Sequence, residues 1–353
     1  MILDEKIREQ RRKQAILARH HIYVKKEQPE SYVSALPEDE REKFMESARA
    51  ANVVILRKRR ARSKVAKVFG VAFLSVAAFI AILPIFFTFL NSFMSSAEIE
   101  GNYGVVFKSL PGGSNEASRF MDEAPQLQLI PQEVSADQYS EVLFKSPSYL
   151  FRYWNSFLLT VPIVIGQLAV ACMASYSFMR YRKKRREVLF FLYIILMLMP
   201  FQVTLVPNYI MNEALNILDT PLAVILPGIF STFSVYILTK YMRRIPKAYI
   251  EAAIIDGAGE WQIFTKVVMP NCKAPVAAMA ILLFIDYWNM VEQPLVMIQD
   301  EGMQPLSVFL SKVNVENIGL AFAACALYMI PPLLIFLRGE DQLVEGISQS
   351  GIK

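Results

Sequence analysis

The sequence predicts an all-α, polytopic membrane protein with six transmembrane helices. Three observations carry that expectation. Of 353 residues, 54% are hydrophobic and only 20% are charged, against roughly 25% charged in ordinary soluble domains. Mean hydropathy is +0.33. Six apolar runs reach the roughly 20 residues that a helix needs to cross a bilayer. The same composition argues against a disordered chain and against the two soluble domains that length alone, at about 150 residues each, would give.

Residues 1–65 are polar and begin with no apolar stretch, so no cleaved signal peptide is expected and the N-terminus is assigned to the cytoplasm. Pro37 followed by Glu38, Asp39 and Glu40 marks a helix start, and the run Arg57, Lys58, Arg59, Arg60 and Arg62 marks its basic end, which predicts a surface helix. With Lys64 and Lys67 this run abuts the first apolar segment, as a cytoplasmic flank facing anionic membrane lipid would. That position disfavours the alternative of a nucleic-acid patch, and no nucleic acid is expected as a partner.

The six predicted spans are 68–93, 155–178, 188–210, 221–239, 275–298 and 319–337. Pro200, Pro227, Pro331 and Pro332 fall inside them, and membrane helices tolerate proline where neighbours satisfy the freed carbonyls. Loop charge sets the orientation. Arg180, Arg182, Lys183, Lys184, Arg185 and Arg186 join spans two and three, and Lys240, Arg243, Arg244, Lys247, Lys266 and Lys273 lie between spans four and five. Both loops belong inside by the positive-inside rule. The connection with Glu213 and Asp219 has no Lys or Arg, and it belongs outside with the long, mixed stretch 95–152, leaving both termini inside. The expected organisation is a cytoplasmic tail, 1–65, and a transmembrane domain, 66–353, with an inner loop at 240–274.

That inner loop reads Tyr249-Ile-Glu-Ala-Ala-Ile-Ile-Asp-Gly-Ala-Gly-Glu-Trp. Good helix formers from Pro246 to Asp256 are followed by Gly257 and Gly259, a stop where positive φ is allowed, and a second short helix is expected from Glu260 to just before Pro270. The pair would present Glu251 and the small Ala252 and Ala253 to the groove of another protein. An ordinary interfacial helix has the same periodicity.

The order Glu251-Ala252-Ala253, three residues, Gly257, nine residues, Val267, one residue, Met269-Pro270 resembles the EAA loop of ABC importer permeases, with Val267 and Met269 in place of the usual Ile and Leu. Asn155-Ser156, Met199-Pro200, Trp288-Asn289, Pro294-Leu295 and the tail from Gln342 to Gly346 extend the likeness over about 66–350, and they are similar to carbohydrate-importer permeases of the maltose type. The resemblance implies a type I importer fold in a bacterial or archaeal plasma membrane. It implies a second permease subunit, a cytoplasmic ATPase dimer that binds ATP and Mg, an extracellular solute-binding protein and a sugar substrate. By position, Glu251, Ala252, Ala253 and Gly257 would form the docking core for the ATPase, with Asp256 and Pro270 shaping the element. No G-x-x-x-x-G-K-[ST] loop occurs in this sequence, so the ATP chemistry is expected in a partner and this chain is not expected to be an enzyme or to bind a cofactor.

Ionisable groups within spans are costly and mark pathways. Span five carries Asp286 and Glu292, and Asp286, Asn289 and Gln293 at i, i+3 and i+7 would share a helix face beside Tyr287 and Trp288. These groups, with Gln167 and Gln202 as weaker candidates, suit sugar hydroxyls and ring faces; the alternative is hydrogen bonding between helices. His20 and His21 are the only histidines, and Cys172, Cys272 and Cys325 lack a metal or disulfide spacing, so no metal site is expected. A non-sugar solute, or a passive channel, is the competing function.

Overall fold

The computed structural model describes residues 67–108, 131–145, 147–181, 184–312 and 318–351. The expected tail helix, the basic run before Lys67 and the turn at Pro111-Gly112-Gly113 lie outside the described residues. The chain divides into two compact units, 1–82 and 83–353. Of the first, the described part is 67–82, the apolar front of helix α1 (Lys67–Asn91).

The second unit is built from helices. After α1 come α2 (Ser96–Lys108), α3 (Asp137–Ser140, continued by a π turn to Lys145), α4 (Pro147–Arg180), α5 (Lys184–Met197) and α6 (Phe201–Ala214). Then follow α7 (Leu222–Gly228), α8 (Thr232–Met242), α9 (Lys247–Ile255) and α10 (Glu260–Gln262, continued by a π turn to Val268). The last are α11 (Met269–Asn271), α12 (Lys273–Trp288), α13 (Glu292–Met297), α14 (Leu306–Ser311) and α15 (Ile318–Gly351). Among the described residues four helices are long and apolar enough to cross a membrane, or six if each of two bent pairs is one span.

Three predicted spans are interrupted, the fourth (221–239) at 229–231 between α7 and α8. The third, expected over 188–210, is α5 and α6 set at 102° to each other. A helix carried through Pro200 would drive its ring into the carbonyl one turn back, and Pro200 instead adopts an extended conformation and caps α6. The fifth, expected over 275–298, stops at Trp288 and resumes at Glu292. Pro294 sets the limit, because a continuous helix would place its ring against the Met290 carbonyl. Asp286, Asn289 and Gln293 therefore do not lie on one helix face: Asn289 ends α12 and Gln293 belongs to α13.

Helix α4 is the post on which α7, α8, α12 and α14 pack. Leu159 and Ile163 of α4 meet Ala223 and Val224 of α7 and Met297 of α13 in one buried cluster. Buried polar groups cross-link the same helices. Gln167 Nε2 donates to Ser234 Oγ at 2.6 Å, and the Tyr287 hydroxyl lies 2.8 Å from Gln167 Oε1 and 3.1 Å from the Gly228 carbonyl, joining α4, α7, α8 and α12. Such bonds satisfy polar atoms that would be expensive to leave unpaired away from water.

Loops sort to two ends. At one, Arg243 pairs with Glu187 at 2.7 Å and Arg186 donates to Ser177 Oγ at 2.8 Å, so both basic loops meet. At the other, Asp219 Oδ1 accepts from the Gln299 and Asp300 amides at 2.8 and 2.9 Å, and Asn155 Nδ2 donates to the Gly302 carbonyl at 2.7 Å. The sorting agrees with the loop charges.

The α4–α7 contact is close enough to exclude a side chain. A Cβ on Gly228 would sit 2.9 Å from Ile163 Cγ2, and one on Gly166 would sit 2.8 Å from Ile229 Cγ1. Gly228→Ala is expected to lower the thermal unfolding midpoint in detergent by the equivalent of about 1–3 kcal/mol of overpacking. Gly70→Ala, whose Cβ would meet nothing within 4 Å, is the control and should be neutral or raise it by up to about 1 kcal/mol.

Candidate functional site

The inner loop folds as the sequence predicts in outline. Helix α9 runs Lys247–Ile255 between Pro246 and Asp256, and it ends in a Schellman turn. The Ala258 amide donates to the Ala253 carbonyl at 2.9 Å and the Gly257 amide to Ile254 at 3.0 Å. Gly257 sits at φ +78°, the left-handed region that glycine alone enters cheaply. Gly259 does not share that role: its φ is −72° and it N-caps α10, its amide donating to Gln262 Oε1 at 3.1 Å. Nor does the second helix end before Pro270. It widens into the π turn Ile263–Val268 and continues through Asn271, the wide turn making room for the proline ring.

Burial divides the loop into a base and a tip. Ile250, Ile263, Phe264 and Val268 pack with Cys172 and Met179 of α4 and Leu238 and Met242 of α8, with Ala253 against the same cluster. Glu251, Ala252, Asp256, Gly257 and Pro270 are exposed. Tyr249 and Ile255 of α9 and Trp261 of α10 are large apolar groups exposed by 54%, 85% and 67%.

One ionic cluster fixes the loop to α4. Glu260, directly after the glycine turn, accepts from the Tyr176 hydroxyl at 2.5 Å and from Arg180 Nη2 and Nε at 2.9 and 3.1 Å. The Tyr176 hydrogen bond first, and Arg180 second, hold the Glu260 carboxyl below the ordinary carboxylate range, against the opposing effect of partial burial. In the sequence Arg180 reads only as a loop charge, Glu260 only as a helix start and Tyr176 as neither, because a partnership across about eighty positions leaves no local signal.

The second feature is a cavity of about 960 Å³. Its wall comes from three helix interruptions: 196–201 between α5 and α6, 227–233 between α7 and α8, and 286–293 between α12 and α13. Asp286, Tyr287, Asn289, Glu292 and Gln293 line it. Gln202 reaches Glu292 Oε2 at 3.4 Å. Three of the sequence candidates lie outside its wall, Gln202 touching it only through Glu292. Trp288 is 1% exposed, stacked between Phe284 and Tyr328, with its Nε1 donating to the Tyr328 carbonyl at 3.1 Å. Gln167 is equally buried in the network with Ser234 and Tyr287. An indole and a carboxamide with all that packing around them hold helices together.

The family model described as "Binding-protein-dependent transport system inner membrane component" matches residues 163–348. The chain belongs to this family. Both the α9 loop and the cavity lie within the matched region. Among its relatives, the arabinooligosaccharides transport system permease protein AraQ of Halalkalibacterium halodurans is 27% identical over 287 residues, covering 80% of this chain and 94% of that protein. The sn-glycerol-3-phosphate transport system permease protein UgpE of Brucella melitensis is 23% identical over 297 residues, covering 81% and 97%. The lactose transport system permease protein LacG of Rhizobium radiobacter is 26% identical over 198 residues, covering 55% and 72%. In three dimensions, a chain from the crystal structure of a bacterial ABC transporter involved in the import of alginate superposes with a TM-score of 0.64 at 21% identity, covering 79% of this chain and 96% of that one. The fold is therefore that of this transporter class, a mainly helical multi-pass membrane component.

For this family member, a double-mutant cycle on Arg180→Ala and Glu260→Gln should give a coupling of about 0.5–1 kcal/mol, as for a partly exposed pair, read from thermal unfolding midpoints. Because Glu260 titrates lower in the folded state than in the unfolded chain, that coupling is complete above the ordinary glutamate range, about 4.3. It should fade as pH falls through the depressed value.

Proposed function

We propose that this chain is a permease subunit of an ATP-driven importer and that it moves a sugar or oligosaccharide delivered by an extracellular binding protein. The observation that carries the reading is α9, a helix with its base packed on α4 and α8 and its tip, Glu251, Ala252 and Gly257 ringed by Tyr249, Ile255 and Trp261, exposed. Exposed aromatic and aliphatic anchors around a close-approach surface are what a protein groove recognises. The partner is a cytoplasmic ATPase dimer that binds ATP and Mg, and this chain supplies no ATPase site. Six spans with both termini inside complete the topology, α5–α6 counting as one bent span and α12, joined to the loop helices α10 and α11 across a 76° bend, as the fifth. A second permease subunit faces the cavity. The named substrates of AraQ and LacG support carbohydrate as the cargo.

The mechanism follows from the packing. Closure of the ATPase dimer on ATP draws together the α9 helices of two permeases. Ile250 and the Glu260 cluster make α9 one body with α4, so the pull reaches the helices whose interrupted ends line the cavity. ATP shifts the equilibrium between inward- and outward-facing states only to the extent that the ATPase binds one state more tightly. Asp286, Tyr287, Asn289, Gln293 and Gln202 are assigned to the solute path, and Trp288 and Gln167 to its support.

Cysteine crosslinking tests the coupling role. A complex carrying Ala252→Cys should crosslink to the ATPase in membranes. Gly257→Pro, which removes the amide bonded to Ile254 and forbids φ +78°, should abolish hydrolysis stimulated by loaded binding protein while leaving the permease in the membrane. An intact permease that crosslinks to no ATPase would overturn the reading.

A further inference from the structure

The wall of the cavity is charged in one sense only. Asp286 and Glu292 line it, and among the described residues no Lys, Arg or His does. Glu292 has Gln202 as its neighbour at 3.4 Å, an amide that leaves the charge unbalanced. Asp286 has no hydrogen bond or ion pair among the described residues, and it stands exposed on α12 at the cavity rather than against another helix. The remaining polar wall is neutral, from Asn208, Asn289 and Tyr287, with Phe230 as an apolar face. Arg180 and Arg243 are engaged away from it, with Glu260 and Glu187.

From this we infer that the solute passing this half of the cavity is an uncharged or amine-bearing sugar, and that uronates and phosphate esters are refused. The inference rests on the cavity being the solute path of the proposed importer, and it deepens that reading by naming the substrate class. Carboxyl groups accept hydrogen bonds from sugar hydroxyls, and an aromatic face suits the C–H face of a sugar ring. A carboxylate or phosphate brought into the same space meets like charge with no cation to pair it, and selectivity by such repulsion is as effective as selectivity by contact. The solutes in the relatives' names fall on both sides of this line. This wall fits the arabinooligosaccharide and lactose systems by name, and it does not fit the solutes named for sn-glycerol-3-phosphate and alginate.

The test reads the charge preference of the cavity directly, in the full complex with its second permease and ATPase. Phe230→Cys places a thiol on the wall at a position 72% exposed; Cys172, Cys272 and Cys325 are replaced by serine. Modification rates are measured with three methanethiosulfonates of similar size, cationic trimethylammonioethyl, neutral hydroxyethyl and anionic sulfonatoethyl. Each rate is divided by that with free 2-mercaptoethanol. The anionic reagent should be slowest, by about tenfold or more against the neutral one, as a one-signed cleft discriminates ions. Asp286→Asn with Glu292→Gln should bring the three rates together, and isosteric amides keep the fold testable. An anionic reagent as fast as the neutral one, or a ratio unmoved by the amide variants, overturns the inference. So does a thiol that none of the three reaches. The Ala252→Cys crosslink, run on the same preparation, separates the two readings. Its presence with an anion-tolerant cavity sinks only the substrate class, and its absence with an anion-refusing cavity sinks the coupling role.

Discussion

A bilayer interior offers no water to backbone amides and carbonyls, so a chain crossing it must close its hydrogen bonds within helices or bury the exceptions in protein. Among the described residues, the cavity stands where that rule is broken. The helices stop at Pro200, at Ile229–Ser231 and at Asn289–Val291, and these interruptions meet around one cavity. Each has a local cause or companion in proline: Pro200 itself, Pro227 one turn ahead of the second break, and Pro294 one turn behind the third. The breaks leave Asp286, Asn289 and Glu292 lining that cavity, the kind of interrupted helix that a proposed solute path would use.

The helical loop from Lys247 to Asn271 would be a floppy connection without its base. Ile250 and the π-turn residues bury it against α4 and α8. The Tyr176–Arg180–Glu260 cluster then fixes its direction at the one point where the glycine turn would otherwise let it swing. The outcome is a rigid handle: small, exposed residues at the tip and a tight joint at the foot. In the proposed coupling role, a handle loose at its foot would absorb the displacement of a docked ATPase, and the ion cluster would prevent that.

Aromatic residues show why type and place must be separated. Trp288, Tyr287 and Phe284 follow one another on α12 and are equally suited on paper to a sugar ring. In the fold Trp288 is clasped by Tyr153, Phe157, Phe284 and Tyr328, with each end of the Trp288–Tyr328 pair bonded to the other's backbone. Tyr287, one position earlier and rotated by about 100°, reaches the cavity. The neighbouring side chains differ in fate because the helix has a protein side and a cavity side.

The sequence by itself determined the helical membrane architecture, the sorting of basic loops to one end, and the α9 turn, since apolar length, charge bias and a glycine with a fixed offset are all local or additive signals. Asp286 was legible too, because a carboxylate in an apolar run is costly wherever it points. Only the tertiary structure decided which way each helix face turns. It broke the third, fourth and fifth spans, placed Gln167 and Trp288 in the packing, and paired Glu260 with Tyr176 and Arg180. It also brought three separate interruptions onto one cavity. Those outcomes depend on contacts between positions tens of residues apart, and no periodicity along a single segment encodes which neighbour a side chain will meet.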